Sequence, residues 1–304
     1  MKALVTGGTG FLGRHLVPHL QSKGIETFVL NSRSCDLTDR SNLLRLPAER
    51  FDIIYHLAAW TKAGDFCLYH PGEQWIVNQL INTNVLWYWR ERQPQATFVA
   101  IGTSCSYPPD LEMREENYMA AEPDADLYTY AMTKRMLYQG MRALCAQYGM
   151  RYCHLVPSTL YGTRFDEDDS HFVFDLVRKI VRGKLAGEPV VLWGDGNQVR
   201  ELIHVEDAVA LIEVARELWP DETINIGAGA GFTIRQCAEM ICEIVGFDAG
   251  RIVYDRERYT GVPSKVLDNA RLRRLLDYRF KDLRAGLVEV VEDYLQHFRG
   301  APSA

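Results

Sequence analysis

The side chains best suited to chemistry lie in three short stretches. Tyr130-Ala131-Met132-Thr133-Lys134 sets a tyrosine four residues before a lysine. Positions i and i+4 share one face of a helix, so this spacing points phenol and ammonium into one site. A nearby ammonium stabilises phenolate, which predicts a Tyr130 pKa drawn towards neutrality and a tyrosine able to act as acid and base. Upstream, a hydroxyl-rich run, Gly102-Thr103-Ser104-Cys105-Ser106-Tyr107-Pro108, ends a candidate strand. Thr103 could hydrogen-bond a substrate oxygen beside Tyr130.

The third stretch is Val5-Thr6-Gly7-Gly8-Thr9-Gly10-Phe11-Leu12-Gly13. Glycines at 7, 10 and 13 fall between a strand and a helix. One permits a sharp turn, one lets backbone approach a pyrophosphate, and one allows close helix packing, while the helix N-terminus offers N–H donors. This pattern predicts dinucleotide binding by Gly7, Thr9, Gly10, Phe11, Leu12 and Gly13. The next strand ends Val29-Leu30-Asn31-Ser32-Arg33, with no acid before Asp36. An acid there usually receives the ribose 2′-hydroxyl of NAD, whereas an arginine accommodates a 2′-phosphate. Arg33 therefore favours NADP(H), with NAD(H) as the alternative, and Asp36 and Leu37 are expected at the adenine edge.

The elements that must position these residues follow from periodicity. Ala3–Thr6, Thr27–Leu30, Ile53–Leu57, Thr97–Gly102 and Tyr152–Pro157 read as strands, several of them apolar without alternation, as in parallel strands buried on both faces. Helices are expected near 11–23, 72–92 and 128–148. This alternation predicts an α/β fold with a Rossmann-like doubly wound parallel sheet, its ligands at the carboxyl ends of the strands. The dinucleotide-binding domain is expected over 1–160, with segments near 194–226 crossing back. Residues 161–304 are expected to form mainly a smaller α/β substrate domain, with helices near 171–183, 205–219 and 284–298 and strands at Val190–Trp193 and Thr223–Ile226.

Composition bounds the function. The 304 residues carry 34 basic and 40 acidic side chains, a net charge of −6, which disfavours broad binding to nucleic acid. No apolar run approaches the ~18 residues needed to span a bilayer, so no membrane partner is expected. The 7 cysteines show no CxxC pair, and Met1-Lys2 leads into a strand without a leader pattern. Together these predict reduced thiols, no metal site and a cytoplasmic location.

The combination resembles the extended short-chain dehydrogenase/reductase family of nucleotide-sugar epimerases, dehydratases and reductases. The likeness rests on the glycine start, His56-Leu57-Ala58-Ala59, Asn84, the Thr103, Tyr130 and Lys134 set, Trp193-Gly194-Asp195-Gly196, and Arg200-Glu201-Leu202-Ile203-His204-Val205-Glu206-Asp207. It implies Thr103, Tyr130 and Lys134 as catalytic, with Lys134 also on the nicotinamide ribose. It implies cofactor contacts at Leu57, Ala58, Ala59, Pro157 and Leu160, the last two from Val156-Pro157-Ser158-Thr159-Leu160-Tyr161-Gly162. Within the family, Cys105 and His171 match a pair of proton-transfer residues in a 3,5-epimerase/4-reductase branch. Ser104, Lys179, Trp193 and Arg200 match substrate contacts. The implied substrate is a nucleotide-diphosphate 4-keto-6-deoxyhexose, epimerised at C3 and C5 and reduced at C4 with NADPH. The alternatives are a 4-epimerase or 3,5-epimerase with tightly held NAD and no net reduction, and a dinucleotide sensor without turnover. Thr9 stands where that branch has a second phosphate-binding arginine, Thr159 replaces its asparagine, and the loop 163–170 is unusually acidic. The helices near 72–92 and 128–148, with Met132, Met136, Met141 and Leu144, are the expected homodimer contact.

Overall fold

The structure, a computed structural model, describes residues 1–62, 66–166, 171–258 and 261–298. In the first half, strand and helix alternate: β1 (Lys2–Thr6), α1 (Phe11–Ser22), β2 (Glu26–Leu30), α2 (Arg40–Leu44), β3 (Ile53–His56), α3 (Phe66–Tyr69), α4 (Pro71–Arg92), β4 (Thr97–Ile101), α5 (Tyr128–Tyr148) and β5 (Tyr152–Pro157). Then follow β6 (Thr159–Tyr161), α6 (Phe172–Ala186), β7 (Val190–Trp193), β8 (Val199–His204), α7 (Val205–Leu218) and β9 (Thr223–Ile226). The chain continues through β10 (Gly231–Thr233), α8 (Ile234–Val245), β11 (Ile252–Asp255), β12 (Ser264–Lys265), α9 (Ala270–Leu275) and α10 (Leu283–Phe298).

A six-stranded sheet in the order β2-β1-β3-β4-β5-β9, parallel throughout, forms the centre. Its strands lack hydrophobic alternation because helices cover both faces. Along β1, Ala3 and Val5 join the core under α1 and α7, while Leu4 joins the core under α4 and α5. Trp89 of α4 packs on Phe98 of β4 with ring centroids 4.8 Å apart. Strand order reverses at β1, which opens a crevice at the carboxyl ends of β1 and β3.

A second layer surrounds β8, which pairs with β6, β10 and β12. Helices α6, α8 and α10 enclose a separate apolar core containing Phe174, Val177, Ile241 and Leu287. Between 227 and 283 the sequence reading placed no element, yet β10, α8, β11, β12 and α9 lie there. The strands among them have only two to four residues, too few for a period-2 pattern to register. Helix α8 did carry a signal: Thr233 and Gln236 form a reciprocal capping box.

Two glycines set the approach of α1 to the sheet. Gly7 has φ +67°, and a Cβ there would lie 2.7 Å from the Ala58 nitrogen. A Cβ on Gly13 would lie 2.5 Å from the Gly7 carbonyl oxygen and from Gly8 backbone. Backbone cannot swing away as a side chain can. Gly13→Ala is therefore expected to lower unfolding stability by ~1–3 kcal/mol, as overpacking does, measured by urea denaturation; an unchanged midpoint would refute the contact.

Candidate active site and cofactor cradle

Helix α1 opens at Gly10 without a side-chain cap and without an acid in its first turn. Its N–H groups and positive dipole end thus stay available to an anion. A Cβ on Gly10 would meet only the Gly7 carbonyl oxygen, at 3.4 Å, so the space over the turn is open. These features fit a dinucleotide pyrophosphate. Thr9 is exposed and Phe11 and Leu12 are half-buried at the same turn. Arg33 is exposed past β2, on a turn shaped by the Asn31 side chain, which accepts from the Arg33 and Ser34 nitrogens at 2.9 and 3.0 Å. Asp36 accepts from the Thr38 nitrogen at 2.9 Å and hydroxyl at 2.7 Å. Leu37 is buried, and Asn84 holds this loop by donating to the Leu37 and Thr38 carbonyls, both at 2.9 Å.

A buried polar chain runs from this cradle to the helix bearing Tyr130. The Thr6 hydroxyl meets His56 Nδ1 at 2.8 Å, His56 Nε2 meets Asn82 Oδ1 at 3.2 Å, and the Asn82 amide donates to the Thr133 carbonyl at 3.2 Å. Asn82 presents its oxygen to His56 because its nitrogen is committed to Thr133. His56 is therefore protonated on Nε2 and accepts the Thr6 hydroxyl proton on Nδ1. Burial pushes its pKa down to about 4, so it is neutral at pH 7. Thr6 also accepts from the Ala58 nitrogen at 3.3 Å, and Asn78 clamps the Trp60 backbone on both sides, at 2.8 and 2.9 Å. These contacts fix the Leu57, Ala58 and Ala59 segment at the crevice.

Thr103, Ser104 and Cys105 are half-buried in a 3-10 turn directly after β4. Thr103 Oγ1 accepts from the Cys105 nitrogen at 3.3 Å, and the Tyr130 hydroxyl lies near enough to interact electrostatically with Thr103 and Cys105. Thr103 and Tyr130 thus lie near one another. The expected pKa of Tyr130 does not follow. Burial drives the phenol well above its ordinary value, and the Lys134 ammonium instead donates to the Ile101 carbonyl at 2.8 Å. Burial lowers Lys134 to about 8. The phenol is accordingly protonated at pH 7, the form that donates a proton.

Lys265, which the sequence reading passed over, donates to Cys105 Sγ at 3.3 Å. It arrives from 160 residues away in sequence on a two-residue strand, so no spacing rule would have found it. Arg200 stands opposite Lys265 in the β8–β12 register and donates to the Val199 and Val262 carbonyls at 2.8 and 2.9 Å. Glu201, fully buried, accepts from the Leu267 nitrogen at 2.8 Å and the Gly229 nitrogen at 2.5 Å. Burial raises its pKa.

His171 precedes α6 and lies among Phe11 and Phe165, with ring centroids 6.4 and 6.1 Å away. Lys179 pairs with Asp175 at 2.8 Å and stands 5.7 Å over the Trp193 ring, whose other cationic neighbour is Arg258 at 5.6 Å. Pro157 ends β5 beside Ile226, and Leu160 lies in β6 against the main core. In the acidic loop, Asp166 is paired with Arg14 at 2.7 Å; Glu167, Asp168 and Asp169 lie outside the described residues. His204, Glu206 and Glu289 approach closely enough to ligate a metal, but the Lys281 ammonium already bridges the two carboxylates at 2.8 Å.

The depressed pKa of Lys134 has a stability consequence. Between about 8 and the free-lysine 10.5 the unfolded chain binds more protons at this group than the folded chain, so the group's contribution to stability rises with pH there. Wild type is expected to gain stability relative to Lys134→Met between pH 8 and 10, by up to roughly 3 kcal/mol. Parallel urea titrations check this, and a pH-independent difference would contradict it.

Comparison with known proteins places this geometry. The NAD dependent epimerase/dehydratase family profile matches residues 3–227. The chain is 30% identical to a GDP-L-fucose synthase of Escherichia coli (strain K12), over 98% of this chain and 99% of that protein. A GDP-L-fucose synthetase from Naegleria fowleri, solved bound to NADP, superposes with a TM-score of 0.87 at 23% identity, over 99% of this chain and 94% of that one. A UDP-glucose 4-epimerase from Thermotoga maritima, solved with UDP-glucose, gives 0.84 at 25% identity, over 97% and 99%. The chain therefore belongs to the NAD dependent epimerase/dehydratase family.

Proposed function

We propose that the protein is a nucleotide-sugar epimerase/reductase of the GDP-L-fucose synthase kind, acting on a nucleotide-diphosphate 4-keto-6-deoxyhexose with NADPH. The observation that carries this reading is the placement of Cys105 in the same turn as Thr103, two residues on, with Tyr130 near enough to interact with both. Reducing a ketone needs the hydroxyls alone. A thiol in reach of the same sugar suits proton exchange beside the carbonyl. Full-length similarity to a GDP-L-fucose synthase supports the same choice.

The nicotinamide cofactor, when bound, supplies the hydride for C4. The chain's own groups do the rest. Gly7 to Gly13 receive the pyrophosphate, and Leu57, Ala58, Ala59, Pro157 and Leu160 line the nicotinamide side. Arg33 pairs with a 2′-phosphate, and Lys134 holds the nicotinamide ribose. Thr103 orients the sugar ketone, and the protonated Tyr130 phenol gives its proton to the C4 oxygen. Cys105 and His171 remove and return protons at C3 and C5, which the 4-keto group acidifies. Ser104, Lys179, Trp193 and Arg200 bind the nucleotide diphosphate and sugar, Arg200 with a forked guanidinium suited to phosphate oxygens.

A homodimer through α4 and α5 belongs to the same proposal. Ile76 and Leu80 are 60% and 44% exposed on α4, and Met132, Met136 and Leu144 are half-buried on α5. Met141, expected at that contact, is fully buried within the chain instead. All seven cysteines are free, which suits a reducing cytoplasm; among the described residues no helix is long and apolar enough to cross a membrane.

GDP-4-keto-6-deoxymannose is the first substrate to try, with NADPH against NADH. NADPH consumption with a clear preference for the phosphate supports the proposal, and stoichiometric, non-exchanging NAD in purified protein overturns it. Arg33→Ala should weaken NADPH binding about tenfold or more, the scale of one lost charge-assisted contact, and leave NADH nearly unchanged. In D2O, deuterium should enter the product at C3 and C5, and Cys105→Ser should suppress that uptake while NADPH still binds.

A further inference from the structure

We infer that Lys265 is a positioning residue that holds Cys105 as a thiolate, and so makes Cys105 the group that takes the first proton from the sugar. The inference rests on the reading above for its substrate, but not for its test. Lys265 Nζ donates to Cys105 Sγ at 3.3 Å in a half-buried setting. A cation so close stabilises thiolate over thiol, and thiolate is the basic form.

The contact is built from both sides. β12 pairs with β8 through Ser264 opposite Val199 and Lys265 opposite Arg200. Just beyond, the Leu267 nitrogen is tied to buried Glu201, and the Asp268 nitrogen donates to the Met113 carbonyl at 3.1 Å. The lysine stem therefore starts from a fixed point. The sulfur starts from a turn capped by Thr103.

Among the described residues, the other titratable groups that act on this site bring no opposing charge at neutral pH. Tyr130 from α5 and Tyr118 beneath the turn interact electrostatically with Cys105, and burial holds both phenols above their ordinary range. Cys67 of α3, which acts on Tyr130, is a buried thiol. Arg200, opposite Lys265 in the β8–β12 register, directs its guanidinium to the Val199 and Val262 carbonyls.

In the step that follows, the Cys105 thiolate takes a proton from the carbon next to the 4-keto group. An S–H bond forms, the C–H bond breaks, and its electron pair moves onto the ketone oxygen as an enolate. Lys265 keeps its own proton throughout; His171, the second proton-transfer residue of the proposal, then protonates the opposite face of the carbon and inverts it, and release of the Cys105 proton to solvent restores the thiolate–ammonium pair.

Alkylation of the full-length protein by iodoacetamide across pH 5–10 tests this without any substrate. The Cys105 peptide is quantified by mass spectrometry, with Cys145 as internal reference. Wild-type Cys105 should react with an apparent pKa at least one unit below the ordinary thiol value of about 8.5. Lys265→Met should raise that value by a unit or more and slow alkylation at pH 6.5 about tenfold, and Lys265→Arg should restore most of it. A wild-type Cys105 titrating at the ordinary value, or a Lys265→Met profile that coincides with wild type, overturns the inference and leaves the epimerase/reductase reading standing. A clear shift together with no deuterium uptake from D2O into the 4-keto sugar does the reverse: the pairing stands and the substrate reading falls.

Discussion

The buried hydrogen-bond chain from Thr6 through His56 and Asn82 to the Thr133 carbonyl is the constraint on which the site depends. It crosses from β1 to β3, α4 and α5 in three contacts of 2.8–3.2 Å. All four residues are at most 5% exposed. In such a place an unpaired polar group is expensive, so each member must keep its partner. That requirement fixes one His56 tautomer, one orientation of Asn82, and the separation between the glycine turn and the helix carrying Tyr130 and Lys134. A cofactor lying over the turn would thereby be referred to the helix carrying Tyr130 through a short, stiff path.

The electrostatics follow from the same burial. Lys134 is an ammonium among two neutral imidazoles, since His56 and His154 are pushed down to about 4 and about 3 by desolvation with Lys134 adding to both. It keeps its place through one backbone carbonyl. Desolvation also raises Tyr130, so the phenol begins as an acid. On the other side of the Thr103 turn, Lys265 sets the environment of Cys105. The protonated Tyr130 phenol of α5 and the cation-paired sulfur of the Thr103 turn thus lie near one another.

Much of this was legible in the sequence. Gly7 and Gly13 are forced by close backbone approach, and such positions announce themselves because no other residue fits. Tyr130 and Lys134 share a helix, where spacing dictates direction. Strands β1, β3, β4 and β5 were readable because they are buried almost throughout and largely apolar. What stayed hidden was non-local or too short for a pattern. Lys265 lies on a two-residue strand, and Glu201 entered the sequence reading only as one residue of the Arg200–Asp207 likeness, with no sign that its carboxylate holds the Leu267 and Gly229 nitrogens. Met141 had the right spacing for a subunit contact, but spacing alone does not say which helix face meets its own sheet.

By itself, the sequence determined the doubly wound sheet, the glycine turn and the placing of Tyr130 and Lys134 one turn apart on a single helix, because these rest on local periodicity and on backbone geometry within a few residues. The tertiary structure decided the protonation states and the partner of Cys105. Desolvation depends on everything packed around a group, and a cation contributed from 160 positions away becomes a neighbour only when β12 docks on β8.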